Sequence, residues 1–271
     1  MLIDPVIVFA LILMLLFMAA LWIYQQTIKE ADIVDVGWTI GLGLVGVLYS
    51  ISLPGYSLRQ SLIILVLAFW SLRLSTFLIR NRVVKKGEDS RYSVLRRKWG
   101  NKAGFYFFLY FQAQALLIII LSSSFYIAVS NPTPEFQIWD SVALSLFLIS
   151  ICGETVADKQ LAAFRKIPDN KGRTYRHGLW RFSRHPNYFF EWLHWWTYFF
   201  FSIGSDYLIF SLISPALILY LMLYVTGIPP AEAQAVKSRG DNYKEYQETT
   251  NAFFPWFPKE SKSRKLTSSD L

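Results

Sequence analysis

Cysteine and charge are both scarce in this sequence, and each shortage excludes a class of protein. Cys152 is the only cysteine, which excludes an intramolecular disulfide and a cysteine metal cluster. The histidines show no metal-ligand spacing, so no metal is expected. Charged residues form 17% of the chain, whereas soluble domains carry roughly 25%. With 54% hydrophobic residues, the composition predicts a polytopic membrane protein with a single domain (1–258) and a polar, disordered tail (259–271).

Acidic residues are outnumbered by basic ones, which gives the chain a net charge of +8. In a membrane protein this excess indicates inside loops that face anionic lipid, and it does not call for nucleic acid. It also suits a cofactor that carries phosphate. The expected partners are therefore a lipid substrate and membrane lipids.

Long apolar runs dominate the chain. A membrane-spanning helix needs about 20 apolar residues, and seven segments reach or approach that length, so we expect an all-α bundle of about seven transmembrane helices. The candidate spans are Pro5–Tyr24, Val36–Leu53, Ser61–Ile79, Phe105–Val129, Ile138–Val156, Tyr188–Ile203 and Tyr207–Thr226.

Basic residues are concentrated in alternate connecting segments. They cluster between spans three and four, between spans five and six, and after the last span, whereas Leu53–Gln60 contains only Arg59 and Ser130–Gln137 contains none. Because basic loops stay inside, we expect the N-terminus outside and the C-terminus in the cytoplasm. All motif-rich segments fall on the basic side, which predicts an active site that opens to the cytoplasm.

Residues 178–196 combine polar side chains with a wall of aromatic ones. Pro186 favours the first turn of a helix, which places Asn187 and Glu191 on one face. An amide and a carboxylate at the mouth of a membrane helix are costly unless they bind something, so we interpret them as the polar floor of a cofactor site. The structural alternative is that neighbouring arginines anchor the loop and one of them pairs with Glu191.

Residues 41–46 read GLGLVG and match the G-x-G-x-x-G pattern of dinucleotide-binding loops. They lie inside an apolar span with no strand before them, so helix packing is the favoured interpretation. Gly37 and Gly41 have the G-x-x-x-G spacing that lets membrane helices approach closely.

Two carboxylates, Asp32 and Asp35, enter the second span together with Trp38. A helix start tolerates such charges, and this explanation suits Asp32 better. Asp35 lies deeper, where burial favours the neutral acid, which can polarise a carbonyl or donate a proton. Arg73 lies inside the third span and needs a partner in the bundle; Asp35 is the expected one.

A polar stripe continues from the fifth span, formed by Glu154, Asp158, Leu161 and Arg165. An amphipathic helix facing water would explain it. The functional alternative is that Asp158 holds ribose or amide groups while Arg165 meets phosphate, which arginine binds bidentately.

Several of these motifs resemble the signature of the steroid 5-alpha-reductase family. Residues 178–192 read G-L-W-x-x-S-R-H-P-N-Y-x-x-E-W. The chain is most similar to the family's bacterial membrane branch, of the domain-of-unknown-function 1295 type. The features shared with that branch are D-x-x-W at 35–38, G-E-D-x-R-Y at 87–92, T-G-I-P-P-A-E at 226–232, R-G-D-N-Y-K-E-Y at 239–246 and F-F-P-W at 253–256.

The resemblance implies a seven-helix enzyme of the bacterial inner membrane that holds NADPH in a cytoplasmic pocket. Such enzymes reduce a carbon–carbon double bond conjugated to a carbonyl in a lipid, with the hydride supplied by the cofactor. The candidate cofactor-binding residues are Glu154, Asp158, Arg165, Tyr175, Arg176, Arg184, His185, Asn187, Tyr188, Glu191, Glu232 and Tyr243.

The candidate catalytic residues are Asp35, Arg73 and Tyr92, and the candidate substrate contacts are Trp38 and Trp70. Trp70 stands where the steroid enzymes have a proton-donating tyrosine, and indole cannot deliver that proton. The acid is therefore Asp35, Tyr92 or a water molecule.

Two other functions compete with the reductase. The R-H-P-x-Y segment also occurs in membrane methyltransferases that use S-adenosylmethionine, such as the isoprenylcysteine carboxyl and phospholipid enzymes. Those enzymes typically follow it with a small residue and end in paired glutamates, whereas Phe189 and Phe190 follow here and Glu232 is single, which favours the reductase. A non-enzymatic lipid-binding protein is the third alternative, because Trp70 removes the usual acid and a fold does not fix a function.

Overall fold

The computed structural model describes residues 4–84 and 87–259, which form helices, turns and loops without a β-strand. Apart from Lys259, the predicted disordered tail lies outside these residues. The α-helices are α1 (Pro5–Ile28), α2 (Ile33–Ser52), α3 (Ser57–Leu78), α4 (Ser90–Trp99), α5 (Ala103–Leu121), α6 (Ser123–Val129), α7 (Ile138–Arg165), α8 (Pro186–Phe201), α9 (Ile213–Tyr220), α10 (Ile228–Arg239) and α11 (Asp241–Thr249).

Six helical segments of the described chain are long and apolar enough to cross a membrane. This confirms the all-helical membrane class. The remaining predicted span, Tyr188–Ile203, corresponds to α8, which has 16 residues and is shorter than the usual length of about 20. The count of seven spans and the orientation of the termini stay predictions.

The chain divides into two compact units. Unit 1 comprises Met1–Ser141 and Tyr198–Ser214, and unit 2 comprises Val142–Thr197 and Pro215–Leu271. All the predicted catalytic and substrate-contacting residues belong to unit 1, whereas all the predicted cofactor-binding residues belong to unit 2. The assignment of residues 1–258 to one domain stays a prediction.

α2 is the central helix of unit 1. In the most apolar stretch of α2, 61% of the residues are buried, compared with 17% in that of α1. α2 packs against α1, α3 and α5. A Cβ atom added to Gly41 would lie 2.7 Å from Ile118 Cδ1, and one added to Gly46 would lie 2.1 Å from Leu67 Cδ1. The glycine pattern therefore serves close helix packing, as predicted.

A buried ion pair joins the starts of α3 and α7. Arg59 Nε donates to Asp140 Oδ1 at 2.7 Å, and Arg59 Nη2 donates to Asp140 Oδ2 at 3.0 Å. The guanidinium also donates to the carbonyls of Thr133 and Glu135. Both charged side chains are at most 2% exposed. Arg59, expected in a loop, lies in the first turn of α3, and it has a structural partner in Asp140.

Unit 2 contains two packed helix pairs. α7 and α8 approach closely, because a Cβ atom on Gly153 would lie 2.4 Å from the Phe190 ring. α10 and α11 pack around Ala235, Tyr243 and Tyr246. The predicted apolar span ended at Val156, and α7 continues from there along the predicted polar stripe to Arg165.

Candidate functional site

Asp35, in the first turn of α2, accepts hydrogen bonds from two donors of α4. Tyr92 Oη donates to Asp35 Oδ1 at 2.7 Å, and Arg91 Nη2 donates to Asp35 Oδ2 at 3.1 Å. Tyr92 is buried, whereas about a quarter of the Asp35 side chain is exposed, at 24%. Each carboxylate oxygen of Asp35 therefore faces a donor of α4. Of the Tyr92 and Asp35 side chains, Tyr92 is the one that donates in their hydrogen bond.

Residues at the start of α4 hold Arg91 in place, which gives the G-E-D-x-R-Y segment a structural role. Asp89 is the N-cap and accepts from the Arg91 backbone N–H at 2.9 Å and from Arg91 Nε at 3.2 Å. The Asp89 backbone N–H donates to Asp32 Oδ2 at 3.0 Å. The Arg91 guanidinium lies 5.2 Å from the centre of the Tyr92 ring. We call Asp35, Asp89, Arg91 and Tyr92 the Asp35 cluster.

Aromatic side chains lie near the Asp35 cluster. Trp38 and Trp70 meet edge to face with ring centres 6.2 Å apart, and Tyr110 lies 6.0 Å from Tyr92. Trp70 is fully buried. Arg73 is half-buried on α3, and its pairing with Asp35 stays a prediction. Flat apolar walls beside a polar cluster suit an apolar substrate with one polar group.

In unit 2 the signature segment folds against α7. Trp180 Nε1 donates to the carbonyl of Ala157 at 2.9 Å, and the Leu179 backbone N–H donates to Gln160 Oε1 at 3.1 Å. A short 3-10 turn, Gly178–Arg181, precedes α8, which begins at Pro186 as predicted. The start of the segment is therefore fixed against α7.

Glu232 is the centre of a hydrogen-bonded frame in unit 2. Arg184 Nε donates to Glu232 Oε1 at 2.6 Å, and Gln247 Nε2 donates to Glu232 Oε2 at 2.8 Å. His185 Nε2 lies 3.3 Å from Glu232 Oε1, and its ring stacks on Tyr188. Tyr243 Oη donates to the same oxygen at 3.4 Å. Burial raises the pKa of Tyr243 to about 12, and the Glu232 carboxylate adds to this shift.

Arg176 and Arg184 both have protein carboxylates as partners. Arg184 also donates through Nη1 to the carbonyls of Gln247 and Thr250, and its side chain is only 10% exposed. Arg176 Nη1 donates to Glu245 Oε2 at 3.0 Å, and Arg176 Nη2 donates to the carbonyl of Asn242. Much of the donor capacity of these two arginines is therefore used within the protein.

Arg165 and Arg239 differ from them. Neither has a carboxylate within ion-pair distance among residues 4–84 and 87–259. Arg239 lies 4.8 Å over the Tyr243 ring. Arg165 is exposed at the end of α7, within electrostatic reach of both Arg239 and Asp158. Arginine binds phosphate bidentately, so two arginines without an ion-paired carboxylate are candidates for binding an external anion. We call them the arginine pair.

A polar contact links α7 and α8. Asn187 Nδ2 donates to Asp158 Oδ1 at 3.3 Å. The Asn187 Oδ1 atom is buried, and in the described part of the chain no hydrogen bond reaches it. Glu154 and Glu191, both buried, lie one turn away on the same two helices. A buried acceptor without a donor is costly, and a ligand amide or hydroxyl would satisfy it.

These observations test whether unit 2 fits NADPH. The arginine pair suits a phosphate, and Asn187 Oδ1 suits an amide or hydroxyl donor, so the donor set fits. Tyr175 is half-buried and its ring lies 5.0 Å from that of Phe164, which gives unit 2 an aromatic surface as well. Four predicted cofactor-binding residues contact one another in the frame around Glu232: Arg184, His185, Glu232 and Tyr243. Their role in binding the cofactor stays a prediction.

Sequence reasoning missed Asp89 and two arginines of these sites. Arg91 lies within G-E-D-x-R-Y, and Arg239 begins R-G-D-N-Y-K-E-Y. Both motifs were recognised, yet neither arginine was assigned a role. The signal was therefore present in the sequence, but only the tertiary contacts show which cations have carboxylate partners.

Comparisons with known proteins give a family and a relative. A family model described as Protein of unknown function (DUF1295) matches residues 21–250. One curated relative is an uncharacterized protein, C594.04c, of the yeast Schizosaccharomyces pombe. It is 27% identical over 266 residues, which cover 87% of this chain and 75% of the relative. No solved structure matches the chain significantly.

Proposed function

The chain belongs to the DUF1295 family, within the steroid 5-alpha-reductase-like superfamily, and from this premise we propose that it is an integral-membrane, NADPH-dependent reductase. Its substrate is a lipid of sterol, enoyl or isoprenoid type with a carbon–carbon double bond conjugated to a carbonyl. The observation that carries the proposal is the 2.7 Å hydrogen bond from buried Tyr92 to Asp35. In this proposal the phenol of Tyr92 is the acid, because the indole of Trp70 cannot donate the proton.

The chemistry of the Asp35 cluster follows from its geometry. Bound NADPH supplies a hydride. Asp35 holds the phenol in position until the substrate binds; the Tyr92 hydroxyl then turns to the substrate, donates its single proton and becomes a phenolate that solvent reprotonates. Arg91 lies over the Tyr92 ring, where its positive charge stabilises the negative charge that proton transfer leaves behind. Trp38 is the candidate contact for the lipid, and the fully buried Trp70 supports it edge to face.

In unit 2 the cofactor roles divide into contacts and support. Arg165 and Arg239 hold phosphate, and Asn187 with Asp158 holds an amide or hydroxyl of the cofactor. The frame around Glu232 keeps the start of α8 and the α10–α11 pair in place. This division favours a phosphorylated dinucleotide, because the arginine pair leaves two positive charges for the ligand to neutralise.

The finer topology belongs to the same proposal. α8 is a seventh, short span, the N-terminus lies outside, and the C-terminus and both polar sites face the cytoplasm. The distribution of basic residues supports this orientation. The resemblance to the bacterial branch of the superfamily supports a location in an inner membrane.

The test is a comparison of NADPH with S-adenosylmethionine by thermal shift on the purified full-length protein. A ligand that binds only the folded state raises its stability, by about 2.7 kcal/mol at one hundred times Kd. We expect stabilisation by NADPH, weaker stabilisation by NADH, and none by S-adenosylmethionine. Stabilisation by S-adenosylmethionine alone would recast unit 2 as a methyl-donor site, and no shift with any of them would favour the lipid-binding alternative.

A further inference from the structure

Residues 252–259, which follow the last helix, display large aromatic side chains on a fixed backbone. The Trp256 backbone N–H donates to the carbonyl of Phe182 at 2.9 Å, and the Lys259 N–H donates to that of Thr249 at 2.7 Å. Ser183 Oγ donates to the carbonyl of Phe253 at 2.8 Å. The segment is therefore held in a defined position along its whole length.

One of its aromatic side chains is buried and three are not. Phe253 is buried and packs against Phe189 and Trp192. Phe254, Trp256 and Phe257 are 52%, 67% and 74% exposed. They lie after the last candidate span, which ends at Arg239. Clustered exposed aromatics on a fixed backbone mark a surface that meets a partner.

Two exposed cations flank the aromatic side chains. Arg181 precedes Phe182, whose ring is 5.9 Å from that of Phe257, and Lys259 ends the segment. Neither cation has a carboxylate within ion-pair distance in the part of the chain that the structure describes. Aromatic rings beside unneutralised cations match the headgroup layer of a membrane, where rings take the interfacial depth and cations meet anionic lipid.

We infer that Phe254, Trp256 and Phe257, with Arg181 and Lys259, form a docking surface for the anionic headgroup layer of the bilayer. Charge complementarity selects this partner over a second copy of the chain, because two copies would bring their cations together. Docking pins the α10–α11 pair to the membrane through the Phe182 and Thr249 contacts. The inference does not depend on the identity of the cofactor or the substrate.

The experiment uses the full chain in lipid nanodiscs. Cys152, the sole cysteine, is exposed, so Cys152→Ser gives a background for a single environment-sensitive fluorophore. The label is placed at Phe257→Cys. A control label is placed at Glu248→Cys, which replaces an exposed residue of α11. The discs contain phosphatidylcholine with or without phosphatidylglycerol. Each also contains a lipid whose spin label, the quencher, lies either near the bilayer surface (shallow) or near its centre (deep).

We expect the label at position 257 to be quenched by the shallow quencher more than by the deep one, and more strongly in anionic discs. The label at position 248 stays unquenched. Adding Arg181→Gln or Lys259→Gln to the labelled protein lowers the ratio of docked to undocked fluorescence-lifetime components by about fivefold in anionic discs. The ratio does not change in zwitterionic discs.

Three results would overturn the inference. The first is equal quenching at positions 257 and 248. The second is quenching that does not depend on phosphatidylglycerol or on the two cations. The third is cross-linking between Phe257→Cys side chains of two copies in discs that hold a dimer, which would make this face an interface between copies.

Discussion

The Asp35 cluster of unit 1 and the arginine pair of unit 2 are opposite solutions to the placing of charge. In unit 1 the carboxylate of Asp35 receives donors from Arg91 and Tyr92, so the protein supplies both signs. In unit 2 Arg165 and Arg239 have no carboxylate at ion-pair distance within the described residues. A charge that the protein neutralises can serve structure or proton transfer, whereas an unneutralised pair of cations can accept an external anion, as we propose for Arg165 and Arg239.

The largest effect is expected at the Asp35 cluster. Tyr92→Phe and Asp35→Asn should each lower turnover about 10²- to 10⁴-fold, because the proton donor or its support is lost. NADPH binding, measured by fluorescence titration, should stay unchanged. Tyr106→Phe, outside the cluster, is the matched control. Full turnover of Asp35→Asn would remove Asp35 from the mechanism, and full turnover of Tyr92→Phe would leave the acid to a water molecule.

The buried pair Arg59–Asp140 tests the structural side of the comparison. Arg59→Ala should lower the free energy of unfolding by about 3–5 kcal/mol, since Asp140 is left buried and unpaired. Chemical denaturation in detergent measures it. The double variant Arg59→Met with Asp140→Leu should recover most of the loss. A loss from Arg59→Ala as small as that of an exposed pair would show that water reaches this end of unit 1.

The arginine pair should behave in the opposite way. Arg165→Ala and Arg239→Ala should each weaken NADPH binding by about 1.5–3 kcal/mol, as expected for a lost charged hydrogen bond, with little change in stability. Arg181→Ala removes an exposed cation from the same unit and serves as the control.

Arg184 provides the contrasting case within unit 2. Arg184→Ala should mainly lower thermal stability, because Glu232 and two carbonyls lose their donor. If Arg184→Ala instead lowered affinity at unchanged stability, the roles assigned to the two sets of arginines would have to be exchanged.

The smallest effect is expected at Arg176. Its ion pair with Glu245 is partly exposed, at 28% and 48%, and such pairs contribute about 0–1 kcal/mol. Arg176→Ala should therefore change stability little and weaken NADPH binding through the displaced α11. Glu245→Gln breaks the same pair without removing the cation, and thermal shift with and without NADPH compares the two. Unchanged NADPH affinity in Arg176→Ala would exclude Arg176 from the site.

Local sequence patterns predicted much of the fold. Pro186 marked the start of α8, the stripe from Glu154 to Arg165 marked a helix, and the glycines of α2 marked close packing. These features depend on residues close in the chain, or on the small size of glycine. Arg59 was misplaced in a loop because its partner, Asp140, is distant in sequence and only burial explains the pairing.

The sequence by itself determined that this chain is a helical membrane protein and which motifs hold its polar residues, because hydrophobicity and local geometry are properties of short segments. Only the tertiary structure decided which charges are paired. Asp35 meets Arg91 and Tyr92 across 56 and 57 positions, and Arg184 meets Glu232 across 48. Arg165 and Arg239 have no ion-paired carboxylate among the described residues. The physical reason is that a charge acts on whatever lies within a few ångströms, at whatever separation along the chain.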